Sequence, residues 1–375
     1  MNTTQSPITL LLACLACAAT AFPIQATAGS SVHDMKPAPL AVAGRVAQQG
    51  ESLTYQWPGQ YFESAFHGSS FAVSVGKGSA TTLHVRVDGE DVTTLRNVGA
   101  GTYRIDGLDN ADHVVRVAVA DELQGGPARF IGILIAPDAT PLPLPQRLRR
   151  IEFIGDSHTV GYGVLSGTRE CTRQEVQSTT DNTRAYGPQV AQHYDADYRV
   201  HAISGRGVVR NYDGGAGDTL PQAYPFVLFD HSVEDTDTAW QPHVVVISLG
   251  TNDLSTPPKA KEKWADLAAL HADYERSYAA FVRSLRTRYP QAHVVLWATG
   301  DVRARMQNVM AQLTASGETN TSYLPIDGLT MGGCDWHPSE ADQTRVANLL
   351  IKHLDALPSA AWDRKQAGAS ASSAR

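Results

Sequence analysis

The sequence predicts an α/β fold of the three-layer kind, with helices on both faces of a parallel sheet, preceded by an antiparallel β-sandwich. Three observations carry this expectation. Residues 70–75, 82–87, 101–105, 113–119 and 130–135 are short strand-like segments separated by Gly, Asp and Asn. Four prolines then fall in the nine residues from Pro137 to Pro145, a composition that favours extended chain and blocks helices. From Arg150 onward, apolar strands alternate with long amphipathic helices, the pattern that builds a parallel sheet covered on both sides.

Each element has its own signature. In the first unit, Leu83-His84-Val85-Arg86-Val87 alternates apolar and polar residues, predicting one buried and one wet face. In the second, the expected strands are 150–154, 198–203, 243–249 and 293–298. The clearest helix carries Leu267, Leu270, Tyr274, Tyr278, Phe281 and Leu285 on one apolar stripe. The last helix follows Pro338, where Ser339 and Asp342 are spaced as a capping box and Val346, Leu350 and Leu354 form the buried side. The resulting organisation is a sandwich over 40–137, a linker over 138–149, an α/β domain over 150–358 and a disordered tail over 359–375.

A hydrophobic content of 42% with 18% charged residues suits a packed globular chain. The formal charge of −7, with no compensating Lys/Arg cluster, argues against nucleic acid as a partner. The apolar run 8–21 is short for a membrane span and is followed by Ala26-Thr27-Ala28, so residues 1–28 read as an export signal. Met1 to Pro7 lacks the usual Lys or Arg, and Leu11-Leu12-Ala13-Cys14 leaves a lipid anchor as the alternative to a secreted or periplasmic product. Removal of the signal leaves Cys171 and Cys334 as the two remaining cysteines, which pair as a disulfide in an oxidising compartment or remain as buried thiols. The mature chain is expected to be a monomer without an integral membrane span.

Polar groups collect where the predicted strands end. Gly155-Asp156-Ser157-His158-Thr159 follows the first strand, Ser204-Gly205-Arg206-Gly207 the second, and Gly250-Thr251-Asn252-Asp253 the third, at the edge where open α/β sheets bind ligands. Asp335-Trp336-His337-Pro338 adds an imidazole and a carboxylate just before the terminal helix. An ester hydrolase needs a nucleophile, a base and donors for the oxyanion, and all three kinds are present.

These four blocks resemble the SGNH (GDSL-like) hydrolase superfamily, matched in chain order by Ser157, Gly205, Asn252 and His337. The fuller pattern runs from Gly155 through Tyr162-Gly163, Tyr186-Gly187 and Gly333-Cys334-Asp335-Trp336-His337-Pro338-Ser339. It looks like carbohydrate esterase family 2, which joins a jelly-roll-like β-sandwich to an SGNH domain. The resemblance spans about residues 40 to 356. It implies Ser157 as nucleophile and His337 as base, with an oxyanion hole made by the Ser157 and Gly205 N–H groups and the Asn252 amide. No cofactor and no metal are implied, and the expected partner is an acetylated polysaccharide or oligosaccharide.

One position departs from the superfamily pattern. The residue three before the histidine is Cys334, so the orienting role passes to Asp335 or to a backbone carbonyl. Trp336, Tyr162 and Trp297 are candidate substrate contacts, with core packing as the other reading for the tryptophans. Asp156 reads as a turn residue, His158 as a structural or rim residue, and Asp253 as a loop buttress. The competing functions are an SGNH lipase or lysophospholipase, a carbohydrate-binding protein with a vestigial site, and a metallophosphoesterase suggested by Asp156-x-His158.

Overall fold

The computed structural model describes residues 27–28, 32, 34–300, 302–358 and 361–362. Of the expected signal only Thr27–Ala28 lies among them, and of the tail only 361–362. Among the described residues no helix is long and apolar enough to cross a membrane.

The N-terminal strands form two antiparallel sheets face to face. One runs Gly101–Ile105, Phe71–Val75, Ala128–Ile135, Ser52–Tyr55 and Ala47–Gln49 as neighbours; the other runs Tyr61–Gly68, Ala111–Val119, Thr81–Val87 and Glu90–Val98. Between them Phe62 stacks on Phe130 with ring centroids 3.8 Å apart, and Leu83, Val85 and Val87 point inward. The opposite side of that strand was expected to be wet. Instead it docks on the second unit, where His84 Nε2 lies 2.8 Å from Asp181. On the same sheet Tyr61 donates to Asp197 at 2.7 Å, and Glu63, almost wholly buried, takes a bidentate bond from Arg147 at 2.7 and 2.8 Å. The geometry is that of a strong charge-assisted pair. The proline-rich stretch also joins this sheet, since Thr140–Pro141 pairs with His67 and Phe66.

The second unit is built on five parallel strands: β1 (Arg149–Gly155), β2 (Ala196–Ala202), β3 (Val244–Ser248), β4 (His293–Ala298) and β5 (Thr321–Pro325), in the order β2-β1-β3-β4-β5. Alternate side chains go to opposite faces. Ile154, Val245, Ile247, Val294 and Leu296 pack with one pair of helices, Leu267–Arg288 and Val302–Ala315. Phe153, Val244, Val246 and Val295 pack with the other pair, Tyr186–His193 and Glu340–Asp355. The apolar stripe of the helix Leu267–Arg288 is buried except at Leu267, its first residue, which is exposed. Ser339 and Asp342 form the capping box on the last helix.

This topology positions the site. The chain order reverses about β1, so the ends of β1 and β3 flank the crevice where doubly wound sheets bind ligands. The loops after β1, β2 and β3 therefore meet at one edge.

Candidate active site

Ser157 opens a single helical turn, Ser157–Val160, directly after β1. Its Oγ lies 2.8 Å from His337 Nε2. On the other side of the ring, Nδ1 lies 2.9 Å from the carbonyl oxygen of Cys334 and 3.1 Å from that of Asp335. Carbonyl oxygens only accept, so a neutral ring carries its hydrogen on Nδ1 and offers the Nε2 lone pair to the serine. Burial, reinforced by nearby His158, pushes His337 down to about 4, against the opposing pull of the Cys334 carbonyl and of Asp156. The imidazole is thus an unprotonated acceptor at neutral pH.

Of the two orienting groups that the sequence left open, the Asp335 carboxylate and a backbone carbonyl, it is carbonyls that face Nδ1. That carboxylate turns away and accepts the Tyr162 hydroxyl at 2.9 Å. The physical reason is the backbone: Asp335 and Trp336 both adopt left-handed conformations, with φ of 51° and 55°, so the chain curls to present carbonyls rather than a side chain to Nδ1. Tyr162, held by Asp335, lays its ring over His337 at a centroid distance of 4.3 Å.

The loop that carries His337 is fastened on several sides. Cys334 is disulfide-bonded to Cys171, as the cysteine count suggested, with Cα atoms 5.5 Å apart. The Asp335 N–H donates to the Arg169 carbonyl at 2.6 Å, and the Arg169 guanidinium donates to the carbonyls of Met331 and Thr330. Gly163 permits the approach: its φ is 56°, and a Cβ there would stand 2.4 Å from the Cys334 Cβ.

The remaining expected residues fall into place around the serine. Gly205, with φ of 80°, leaves open space where a side chain would project. The Asn252 amide donates to the Arg206 carbonyl at 2.9 Å and lies 3.2 Å from Asp156 Oδ2. Asp156, pushed up to about 6 by burial, also accepts the His158 N–H, so it ties the serine turn to Asn252. Asp253 accepts the N–H groups of Val208, Val209 and Arg210 and so buttresses the loop after β2. His158 is buried edge-on to His337.

Two substrate candidates separate cleanly. Trp336 is 59% exposed beside His337. Trp297 is not available to a ligand: it is 1% exposed and packs edge-on against Tyr186, because its register on β4 turns it into the core under the helices. Sequence reasoning missed Glu122 and Gln124, which reach the Ser204 backbone from the sandwich. They sit in a polar turn some eighty positions upstream with no motif to mark them. Among the described residues no cluster of three or more His, Cys, Asp or Glu could hold a metal ion.

A serine-bearing turn after β1, with a histidine loop and loops from β2 and β3 converging on it, is the arrangement of a GDSL-type acyl hydrolase. Residues 153–353 match the GDSL-like Lipase/Acylhydrolase family, and residues 42–145 match Carbohydrate esterase 2 N-terminal. A relative described as acetylxylan esterase / glucomannan deacetylase, from Cellvibrio japonicus, is 40% identical over 85% of this chain and 91% of its own. A solved carbohydrate esterase, described as having an active site with divergent catalytic and non-catalytic binding functions, superposes with a TM-score of 0.82. Its identity is 38%, over 87% of this chain and all of the other. A family two carbohydrate esterase from Clostridium thermocellum in complex with cellohexaose gives a TM-score of 0.73 at 27% identity, covering 84% and 98% of the two chains. The chain belongs to carbohydrate esterase family 2 and is an esterase.

The disulfide holds the His337 loop, so its removal is expected to bring a coupled loss. Replacing Cys171 and Cys334 together by serine is expected to cost about 2–4 kcal/mol of stability. Turnover should fall as well, because the His337 loop is loosened. Urea unfolding and steady-state rates on a soluble acetyl ester check both; a double variant with wild-type turnover would show that the loop is held without the bridge.

Proposed function

We propose that this protein is an exported carbohydrate O-acetyl esterase that cleaves acetyl esters on plant-type polysaccharides or oligosaccharides through a Ser157–His337 dyad. The observation that carries the reading is the 2.8 Å contact between Ser157 Oγ and His337 Nε2, with Nδ1 on the Cys334 carbonyl. Ser157 Oγ attacks the acetyl carbonyl carbon as its proton passes to Nε2. The oxyanion takes hydrogen bonds from the N–H of Ser157, the N–H of Gly205 and the Asn252 amide, whose longer contact to Asp156 is the one it displaces. Collapse expels the sugar oxygen, which collects the proton from Nε2, and water then attacks the acetyl-enzyme by the same route. Throughout, the Cys334 carbonyl holds the ring and faces the positive charge of the transient imidazolium.

The substrate class is supported by the relative described as acetylxylan esterase / glucomannan deacetylase and by the site's surroundings. Exposed Trp336 offers an apolar face for a sugar ring. A cleft of about 430 Å³ beside Tyr162, lined by Asn97, Asp121, Glu122, Arg173 and Gln177 among others, offers polar partners for hydroxyls. Export is supported by the apolar segment 8–21 with its Ala26-Thr27-Ala28 end and by the disulfide.

Three variants test the dyad on a short acetyl ester. Ser157→Ala and His337→Ala are expected to lose at least about three orders of magnitude in kcat with folding intact. Asp335→Asn should stay within about tenfold of wild type, a change of no more than about 1.4 kcal/mol. A loss in Asp335→Asn as deep as in His337→Ala would assign the carboxylate a direct role after all.

The pH profile supplies a second check. The base works only when unprotonated, and burial holds His337 near about 4, so kcat/KM should stay level as pH falls through 6.5 and decline tenfold per pH unit only below about 4. An acid limb centred near 6.5, in protein shown by circular dichroism to be folded, would mean that the ring is solvated in solution.

A further inference from the structure

A loop of the sandwich reaches the edge of the site. It joins the strands Ala111–Val119 and Ala128–Ile135, and its own anchors are firm. Asp121 accepts from Thr81 Oγ1 at 3.0 Å and from the Thr82 N–H. Leu123 is buried in the sandwich core while its carbonyl takes the Gln56 amide at 3.0 Å, and Ser79 Oγ donates to the Gly126 carbonyl at 2.9 Å. From this base Glu122 Oε1 accepts the Ser204 N–H at 2.6 Å. Gln124 Nε2 donates to the Ser204 carbonyl at 3.2 Å and to Glu122 Oε1 at 3.0 Å. Both backbone groups of one residue in the α/β unit are therefore held by side chains of the other unit.

The consequence follows from peptide geometry. The Ser204 carbonyl and the Gly205 N–H belong to one planar trans peptide and point in opposite directions. Fixing the oxygen fixes the direction of the N–H, and a hydrogen bond accepted at the oxygen strengthens the N–H as a donor. The need is real, because glycine with φ of 80° has wide conformational freedom.

We propose that Glu122 and Gln124 are positioning residues for the oxyanion hole: by gripping Ser204 from the sandwich they aim the Gly205 N–H at the reacting oxygen. The inference rests on the assignment of Gly205 as an oxyanion donor. It makes the sandwich part of the reaction machinery, beyond any role in holding glycan. Burial raises the Glu122 carboxyl above its usual range, and the contact needs only an acceptor oxygen, so a glutamine can replace it.

The test uses the full chain and the variants Glu122→Ala, Glu122→Gln, Gln124→Ala and Ser157→Ala. Assays are kcat and KM on a soluble acetyl ester, inhibition by an alkyl phosphonate that mimics the tetrahedral intermediate, and melting temperature. Removing a whole oxyanion donor costs about 10² to 10³ in kcat, so misaiming one should cost about ten- to a hundredfold in Glu122→Ala, which loses both the hold on the Ser204 N–H and the anchor of Gln124, with KM within about twofold. Gln124→Ala should lose about threefold to tenfold. Phosphonate reactivity should fall in parallel with kcat, and Glu122→Gln should recover most of the loss. Wild-type kcat in Glu122→Ala overturns the proposal, as does a rise in KM alone. A loss of rate that follows a loss of melting temperature and is not recovered in Glu122→Gln overturns it too. Retained activity in Ser157→Ala would instead overturn the dyad itself, so the two failures are distinct.

Discussion

A neutral imidazole has one N–H to give, and in this protein it goes from His337 Nδ1 to the carbonyl of Cys334 at 2.9 Å. That bond fixes the ring plane and the tautomer, and both are needed for Nε2 to meet Ser157 Oγ at 2.8 Å. A carbonyl dipole does this as a rigid part of the backbone, so the demand for order passes from a side chain to the loop. The loop meets it with the Cys171–Cys334 disulfide, the Arg169 contacts and two successive left-handed residues at 335 and 336. Non-glycine residues in that region carry strain of about 1–3 kcal/mol each, tolerated where the surroundings over-determine them. Cys334 therefore serves twice, its sulfur fastening the loop and its oxygen holding the His337 ring.

The same economy appears around Ser157. With β1 flanked by β2 and β3, the three loops that bear Ser157, Gly205 and Asn252 converge at one edge of the sheet. The buried carboxylates there are structural. Asp156 links the serine turn to Asn252, and Asp253 collects three N–H groups of the loop after β2. Both are pushed up to about 6 by burial. The sandwich completes the frame by taking hold of Ser204 and by meeting Asp181, Asp197 and Arg147 across the contact between the units.

Much of this was legible in the sequence because apolar periodicity reports burial directly. Val244-Val245-Val246-Ile247 is apolar throughout because β3 is buried on both faces, and the stripe from Leu270 to Leu285 faces one layer. Strand β5 escaped notice because Thr321–Pro325 is a short edge strand with half-exposed residues and a terminal proline. The polar side of Thr81–Val87 read as wet because polarity alone cannot tell water from a polar partner such as Asp181. For Trp297 the choice between sugar contact and core packing stayed open, because position near a strand end does not reveal which way a residue faces. The choice between Asp335 and a backbone carbonyl stayed open for a similar reason: Asp335 stands two residues before His337 instead of three, and the backbone conformation that directs its carboxylate to Tyr162 leaves no mark in the residue types.

The state of the His337 ring can be observed directly. Nitrogen-15 NMR of the His337 side chain in the free, folded protein at neutral pH reports which nitrogen carries the hydrogen. The Nδ1–H tautomer is expected, with the Nδ1 hydrogen protected from exchange and unchanged in Asp335→Asn. An Nε2–H tautomer, or an Nδ1 hydrogen that disappears when Asp335 is replaced, would contradict a base held by the Cys334 carbonyl.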